Sequence, residues 1–406
     1  MLPPRPCFAS SVAALAIVVL AGAPSRALAQ DFSLRVAEGG QALSEVFFPP
    51  AAVGTLKGGF YFGVDGMVTY DSNFFIDSDY TESELTTQIT PWIVYRTDPE
   101  GRAEFSMEAR YAPDILVYAN NSDLDGVDNN GEVSFKFQGS RTAVSVYANY
   151  SEVSSSDRIA GGFIQGSILT YGIAGSYQLA PRTAILAGWS ASMSDYTSGG
   201  RSGADVYMGE VAGLWDASER LRLGPSLRYT VTESDSTGTR DAVGLLAMAR
   251  YRLGQRIVLD ADVGIEVSKN SRMGGGWETG PAGGLAAEYI MNERWTFRGA
   301  IRYSTVPSPN NLNYLVNDLS FSTAIIRNFE RSSLELGSGL SFTDYEAVGA
   351  VAGSREDEQY FSAYLAYRRE LIENRMDFES MVRGATNNGQ KDWSQWLVSV
   401  GLNVEF

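Results

Sequence analysis

The chain has 406 residues, no histidine and a single cysteine, Cys7; Asp+Glu 48 against Lys+Arg 32 leaves a net charge of −16. The acidic balance argues against nucleic acid as a partner. The missing histidine removes Ser-His-Asp hydrolysis and most zinc and haem sites, the lone cysteine removes disulfides, and no metal or cofactor is expected.

Residues 1–29 carry Arg5 near the front, an apolar core over 12–22, and Ala27-Leu28-Ala29 before Gln30. This is the pattern of a secretory signal peptide with an A-x-A cleavage site. Cys7 precedes the apolar core, the wrong place for a lipoprotein cysteine. Residues 30–57 show no alternation and contain Phe47-Phe48-Pro49-Pro50; they are expected to form a periplasmic lead-in. No later apolar run is long enough for a transmembrane helix.

From Gly58 to Phe406 the sequence alternates, and its connections repeat. Every second one is short and followed at once by arginine: Asp98-Pro99-Glu100-Gly101-Arg102, Gly139-Ser140-Arg141, Ala180-Pro181-Arg182, Ser218-Glu219-Arg220, Gly254-Gln255-Arg256, Asn292-Glu293-Arg294, Phe329-Glu330-Arg331 and Glu373-Asn374-Arg375. Successive arginines lie about 36 to 44 residues apart, a repeat whose unit is a hairpin. The intervening connections are longer and rich in Asp, Ser, Asn and Gly. Short turns on one rim and long loops on the other are the asymmetry of outer-membrane barrels. The expected fold is therefore all-β: a transmembrane antiparallel up-and-down β-barrel over residues 58–406, with both termini periplasmic and about eighteen strands (sixteen to eighteen). The arginine after each turn is expected to pair with the Glu before the turn or to sit among lipid headgroups.

The faces separate strand by strand. After Arg294, Trp295, Phe297, Gly299, Ile301 and Tyr303 alternate with Thr296, Arg298, Ala300 and Arg302. In the last strand Trp396, Val398, Val400, Leu402, Val404 and Phe406 form one apolar face. The spacing from Trp396 to Phe406 matches the roughly 9–11 tilted residues that cross the hydrocarbon. A terminal aromatic carboxylate, Phe406, is expected to act as the membrane-insertion signal read by the barrel assembly machinery. Trp92, Tyr95, Trp215, Tyr251, Trp295 and Tyr367 fall near strand ends, as interface girdles do.

Charges at the bilayer midplane on the lipid side cost about 2–4 kcal/mol each, so they must face the lumen. Arg222, Arg228, Arg250 and Arg252 fall on adjacent strands, Asp260, Asp262 and Glu266 on the next, and Arg298 and Arg302 further round; all nine are candidate pore-lining residues. They read equally as a stripe that sets ion selectivity or guides a polar polymer and as a ladder of ion pairs bracing a wide barrel. The carboxylate pairs Asp77/Asp79 and Glu82/Glu84 read as solvated loop charge. Gly274-Gly275-Gly276 has no helix pattern behind it and is no phosphate loop.

Tyr70-Asp71-Ser72-Asn73-Phe74, at the end of the first strand, and Ile89-Thr90-Pro91-Trp92 in the second resemble the opening of a family of Gram-negative outer-membrane β-barrel porins often encoded beside exopolysaccharide genes. The close match covers these two strands. The resemblance implies an outer-membrane barrel that serves as a conduit or accessory in polysaccharide export. From the residues alone, Tyr70 to Phe74 reads as an aromatic girdle and an Asx-type turn. The expected function is a porin-like, non-enzymatic channel for polar solutes or a secreted polysaccharide. The competing expectation is a plugged structural or adhesive barrel whose loops bind partners. A plug-gated siderophore transporter would need a plug of more than about a hundred residues before the barrel, against the short lead-in at hand.

Overall fold

A computed structural model describes residues 58–77, 79–97, 104–157, 162–197, 203–235, 237–272, 276–307, 314–348, 356–373, 375–389 and 392–406. The expected signal peptide and lead-in (residues 1–57) and the first short turn (98–102) lie outside the described residues.

Among the described residues the alternating segments form eighteen strands. They are β1 (Gly59–Asp71), β2 (Glu84–Arg96), β3 (Phe105–Tyr111 with Asp114–Tyr118), β4 (Gly126–Asp128 with Asn130–Gln138), β5 (Thr142–Asp157) and β6 (Gly162–Ala180). Then follow β7 (Thr183–Tyr196), β8 (Ala204–Asp216), β9 (Leu221–Ser234), β10 (Gly238–Leu253), β11 (Ile257–Asn270) and β12 (Glu278–Asn292). The last six are β13 (Trp295–Pro307), β14 (Tyr314–Asn328), β15 (Ser332–Ala347), β16 (Glu358–Ile372), β17 (Met376–Asn388) and β18 (Trp393–Glu405). Each pairs antiparallel with its neighbours in sequence, and β18 returns to β1 in a register running from Gly63↔Glu405 to Asp71↔Leu397. The sheet is thus a closed barrel with no free edge.

The described short turns fall where the arginine repeat places them, and seven of its arginines share a backbone role. The carbonyls of Arg141, Arg182, Arg220, Arg256, Arg294, Arg331 and Arg375 accept, at 2.7–2.9 Å, the N–H of a residue at or near the end of the next return strand: Gln178, Asp216, Arg252, Ile290, Asn328, Glu370 and Glu405. Side chains close the turns locally: Ser218 Oγ accepts from the N–H groups of Arg220 and Leu221, and Asn292 Oδ1 from those of Arg294 and Trp295. The pairing with a Glu takes a different form at Arg331, which meets Glu373 of the neighbouring turn at 3.9 Å.

Prolines explain the break in β3. The register Ile93↔Tyr111 and Ile89↔Ile115 puts Pro91 opposite Pro113. Neither has an N–H to give, so the ladder opens there. Thr90 donates to Asp114 across the gap, and the N–H of Ala112 turns to the carbonyl of Asn130 at 2.8 Å.

Alternation assigns the two faces. On β10 the residues Val243 and Leu245 are exposed while Ala242, Leu246 and Met248 are buried. On β18 Trp396, Val398, Val400 and Leu402 are exposed while Gln395, Leu397 and Ser399 are buried. The exposed apolar set continues round the whole circumference, for example Phe62, Ile93, Phe135, Val211, Leu285, Leu336 and Val382. A continuous apolar exterior of this extent is stable only against hydrocarbon. Near the short-turn rim, aromatic rings pair across strands on this face: Phe60–Tyr95 and Phe105–Phe137 at 4.8 Å, Tyr289–Phe297 at 6.0 Å and Tyr367–Phe378 at 6.4 Å. Trp92 departs from the girdle expected for it. It lies opposite Gly63 on the inner face, where its ring fills the space of the absent Cβ, and its indole donates to Asp65 at 3.1 Å.

Leu245→Arg, at mid-strand on the outer face, is expected to lower unfolding stability in lipid vesicles by about 2–4 kcal/mol. Ser322→Arg, on the inner face of β14, is expected to change it by less than about 1 kcal/mol. Equal losses in urea titrations would contradict this assignment of faces.

Candidate functional site

The inner wall from β8 to β13 is a cross-strand network of charges. Arg228 on β9 carries the centre of it. Its Nε donates to Glu210 on β8 at 3.0 Å, and its Nη2 lies 3.8 Å from Asp262 on β11. On β10 the residue opposite Arg228 is Gly244, which leaves room beside the arginine, while Asp262 lies opposite Met248, so the Arg228–Asp262 approach is diagonal. The same device recurs one strand pair further on: Gly284 sits in register between Asp262 and Arg302. Glu210 is buried and also accepts from the hydroxyl of Ser226.

Around this centre, Arg222 binds Asp216 at 2.6 Å, Arg240 binds Glu266 at 2.5 Å, Arg250 meets Asp260 at 3.5 Å and Arg298 meets Glu288 at 2.9 Å. Arg252 follows Arg250 on the same face, one step closer to the short-turn rim. All nine residues singled out from the sequence therefore occupy inward positions of β9 to β13. What the sequence concealed is the partners: Glu210, Asp216, Arg240 and Glu288 complete the network. Their signal was available in register, since Asp216↔Arg222 and Glu288↔Arg298 are directly opposed, but only a fixed strand pairing exposes it. The bracing reading thus has explicit geometry. A pair of this kind in a low-dielectric wall costs desolvation that its Coulomb attraction only partly offsets. Its clearest effect is to penalise slipped registers, which would strand a charge on the apolar face.

Below this network, towards the short-turn rim, lies a cavity of about 230 Å³ lined by Gln138, Arg141, Ser176, Gln178, Asp216 and Arg222 among others. It is a polar recess on the inner side of β4 to β9. Beside it a small apolar cluster, Ala174, Leu186, Ala212, Leu214 and Met248, covers the wall.

The opposite rim is narrowed by the first long connection, residues 72–83. Ile76 packs against Tyr360, Ala385 and Trp393, all inward residues of β16, β17 and β18. Phe74 packs against Leu116 and Tyr118 of β3, with Phe163 of β6 at 5.1 Å. Residues 72–77 therefore fold inside the mouth and lie along its wall, while Asp79 to Ser83 are exposed. Ile76 holds φ at 54°, costly for a β-branched residue, and its packing keeps it there.

The Tyr70–Phe74 stretch is the anchor of this loop. Tyr70 points outward, as a girdle residue does. Asp71, buried at 5 %, accepts from the N–H of Asn73 at 2.8 Å, which is the Asx turn expected there. It also accepts from Gln395 Nε2 of β18 at 2.8 and 3.0 Å. Asn73, fully buried, donates to the carbonyls of Asp77 and Ser394, and Ser72 exchanges hydrogen bonds with the backbone of Trp396. One motif thus turns the loop inward and clasps the first strand to the last.

One loop assignment changes. Glu84 is 1 % exposed, not solvated. Its carboxylate accepts from the N–H groups of Leu85, Asn120 and Asn121 and from Asn121 Nδ2, at 2.7–3.0 Å, and so ties the second connection on this rim to β2. Asp77 instead closes a local turn through the N–H groups of Asp79 and Tyr80.

No family model and no curated protein matches the sequence. Among solved structures, Pseudomonas aeruginosa OccK5 (OpdH) aligns at 10% identity and TM-score 0.47, over 86% of this chain and 98% of that one. Acinetobacter baumannii OccAB4 aligns at 10% identity and TM-score 0.47, over 86% and 99%. The outer membrane protein opdK from Pseudomonas aeruginosa aligns at 14% identity and TM-score 0.47, again over 86% and 99%. The barrel assignment stands on strand register alone, and nothing about a solute follows from these likenesses.

Gln395→Ala is expected to leave the Asp71 carboxylate buried with fewer donors and to destabilise the barrel by about 1–3 kcal/mol. Urea unfolding measures the loss, and proteolysis within residues 72–83 should accelerate in the same variant. Unchanged stability and protection would remove the clasp role.

Proposed function

We propose that the chain is an outer-membrane channel of porin type for polar solutes, exported with cleavage of residues 1–29 and oriented with its short-turn rim in the periplasm. The observation that carries this reading is the pairing of an uninterrupted apolar exterior with an inner wall of charged and hydroxyl side chains. An eighteen-stranded closed sheet encloses more space than wall side chains fill, so a polar interior implies water and solute. The nine inward charges line the path, and the inward-folded residues 72–77 form its constriction. Phe406, exposed at the end of β18, suits recognition by the barrel assembly machinery. Lipid of the outer membrane is the other partner, and no reaction chemistry is assigned to the chain.

A finer reading is a conduit or accessory in exopolysaccharide export, supported by the resemblance of Tyr70–Phe74 and the Pro91 strand to porins of that setting. The second reading is a plugged structural or adhesive barrel. What favours it is the first long connection, whose Asn73, Phe74 and Ile76 are packed inside the mouth.

Single-channel recording of the refolded protein in planar bilayers separates the readings. A channel gives steady conductance, and block by added oligosaccharide extends it to carbohydrate. A heat-modifiable, folded barrel without conductance would overturn the channel reading in favour of the plugged one. Deleting residues 75–80 is expected to raise conductance, because it removes the part of the constriction beyond the Asp71–Asn73 clasp. Neutralising Arg228 and Arg250 together is expected to shift selectivity toward cations, since Glu210, Asp260 and Asp262 remain. An unchanged reversal potential would confine those arginines to bracing.

A further inference from the structure

We propose that Arg327, Trp295 and Phe329 form a site on the outer wall, at the short-turn rim, for the phosphodiester of a membrane phospholipid. The inference rests on the membrane reading above but not on whether the lumen conducts. Arg327 belongs to β14, and its direct register partner is Trp295 of β13, an outward residue. Ile325, two positions earlier, is exposed on the same outer face. Most charges of the wall turn inward, and Arg327 is one of the exceptions near this rim, as is Arg369 of β16 by parity with the exposed Phe361 and Leu365. On the lipid side a cation is costly at the midplane but far less so near the interface. Arg327 is one residue from the end of its strand, where headgroups begin.

The side chain is held rather than trailing into water. Its guanidinium lies 5.0 Å from the centre of the Trp295 ring and 4.7 Å from that of Phe329. Cation–π contacts of this kind are attractive at exposed sites and stronger when desolvated. The Nε is buried and has no hydrogen-bond partner. Among the described residues no carboxylate pairs with Arg327, although Arg298, Arg331 and Arg368 each have one. A guanidinium carries five donors and no acceptor. Fixed between two rings with its donors unmatched, it is prepared for a planar, two-point contact with a phosphate. The aromatic rings would lie along the glycerol and upper acyl region of the same lipid.

Native mass spectrometry of the delipidated full-length barrel, titrated with phosphatidylglycerol in a neutral detergent, tests this. The wild type is expected to hold one more lipid at limiting concentration than Arg327→Gln, with apparent affinity for that lipid about tenfold weaker in the variant. Arg327→Lys, which keeps the charge but lacks the fork, should restore only part of it. Trp295→Leu should weaken it without touching the charge. Heat-modifiable migration reports folding of each variant. Equal lipid uptake by wild type and Arg327→Gln would overturn the proposal. So would binding of inorganic phosphate that Arg327→Gln abolishes while lipid uptake stays the same, since the site would then be one for a free anion.

Discussion

Backbone hydrogen bonding is the constraint on which this molecule depends. Hydrocarbon offers no partner to an N–H or a carbonyl, so a sheet that crosses it must have no edge. Every strand here has two neighbours only because β18 comes back to β1. The seam is also where side chains reinforce the ladder most heavily. Asp71, Ser72 and Asn73 on one side meet Gln395, Trp396 and Ser394 on the other through hydrogen bonds that involve both backbone and side chains. Closure by the two most distant segments of the chain is entropically the most demanding contact in the fold. A dense set of buried polar contacts at that position is what such a contact requires.

The same clasp shapes the barrel mouth. Asn73 cannot bond both to Asp77 and to β18 unless residues 72–77 turn inward, and Phe74 and Ile76 are then carried into the mouth. Barrel closure and constriction are therefore one arrangement, so a change at Gln395 reaches both. The charged wall between β8 and β13 works by a related economy. Gly284 leaves a lane across its strand in register between Arg302 and Asp262, and Gly244 leaves room opposite Arg228. Each glycine is needed for its missing side chain rather than for an unusual backbone.

Much of this was legible beforehand. The arginine after each short turn revealed the hairpin repeat, and its physical basis is a backbone one: the carbonyl at that position receives the end of the return strand. The outer face of β18 and the inward set from Arg222 to Arg302 followed from period-two alternation. Trp92 did not, because an aromatic near a strand end is an interface residue only if it lies on the lipid face, and its parity puts it beside Gly63 inside. Glu84 was misread as loop charge because nothing local announces that Asn120 and Asn121, more than thirty residues away, present their N–H groups to it.

Sequence alone determined the class of fold, the repeat, the strand faces and which charges point inward. Those properties depend on the period of side chains along one strand and on turn chemistry, both local. The tertiary structure decided everything that needs two strands at once: closure at eighteen strands, the carboxylates that meet Arg222, Arg228, Arg240, Arg250 and Arg298, and the inward path of residues 72–77. It also decided the lipid-facing isolation of Arg327. Register is a relation between segments, and a shift of one residue would reverse every face without altering the pattern of either strand.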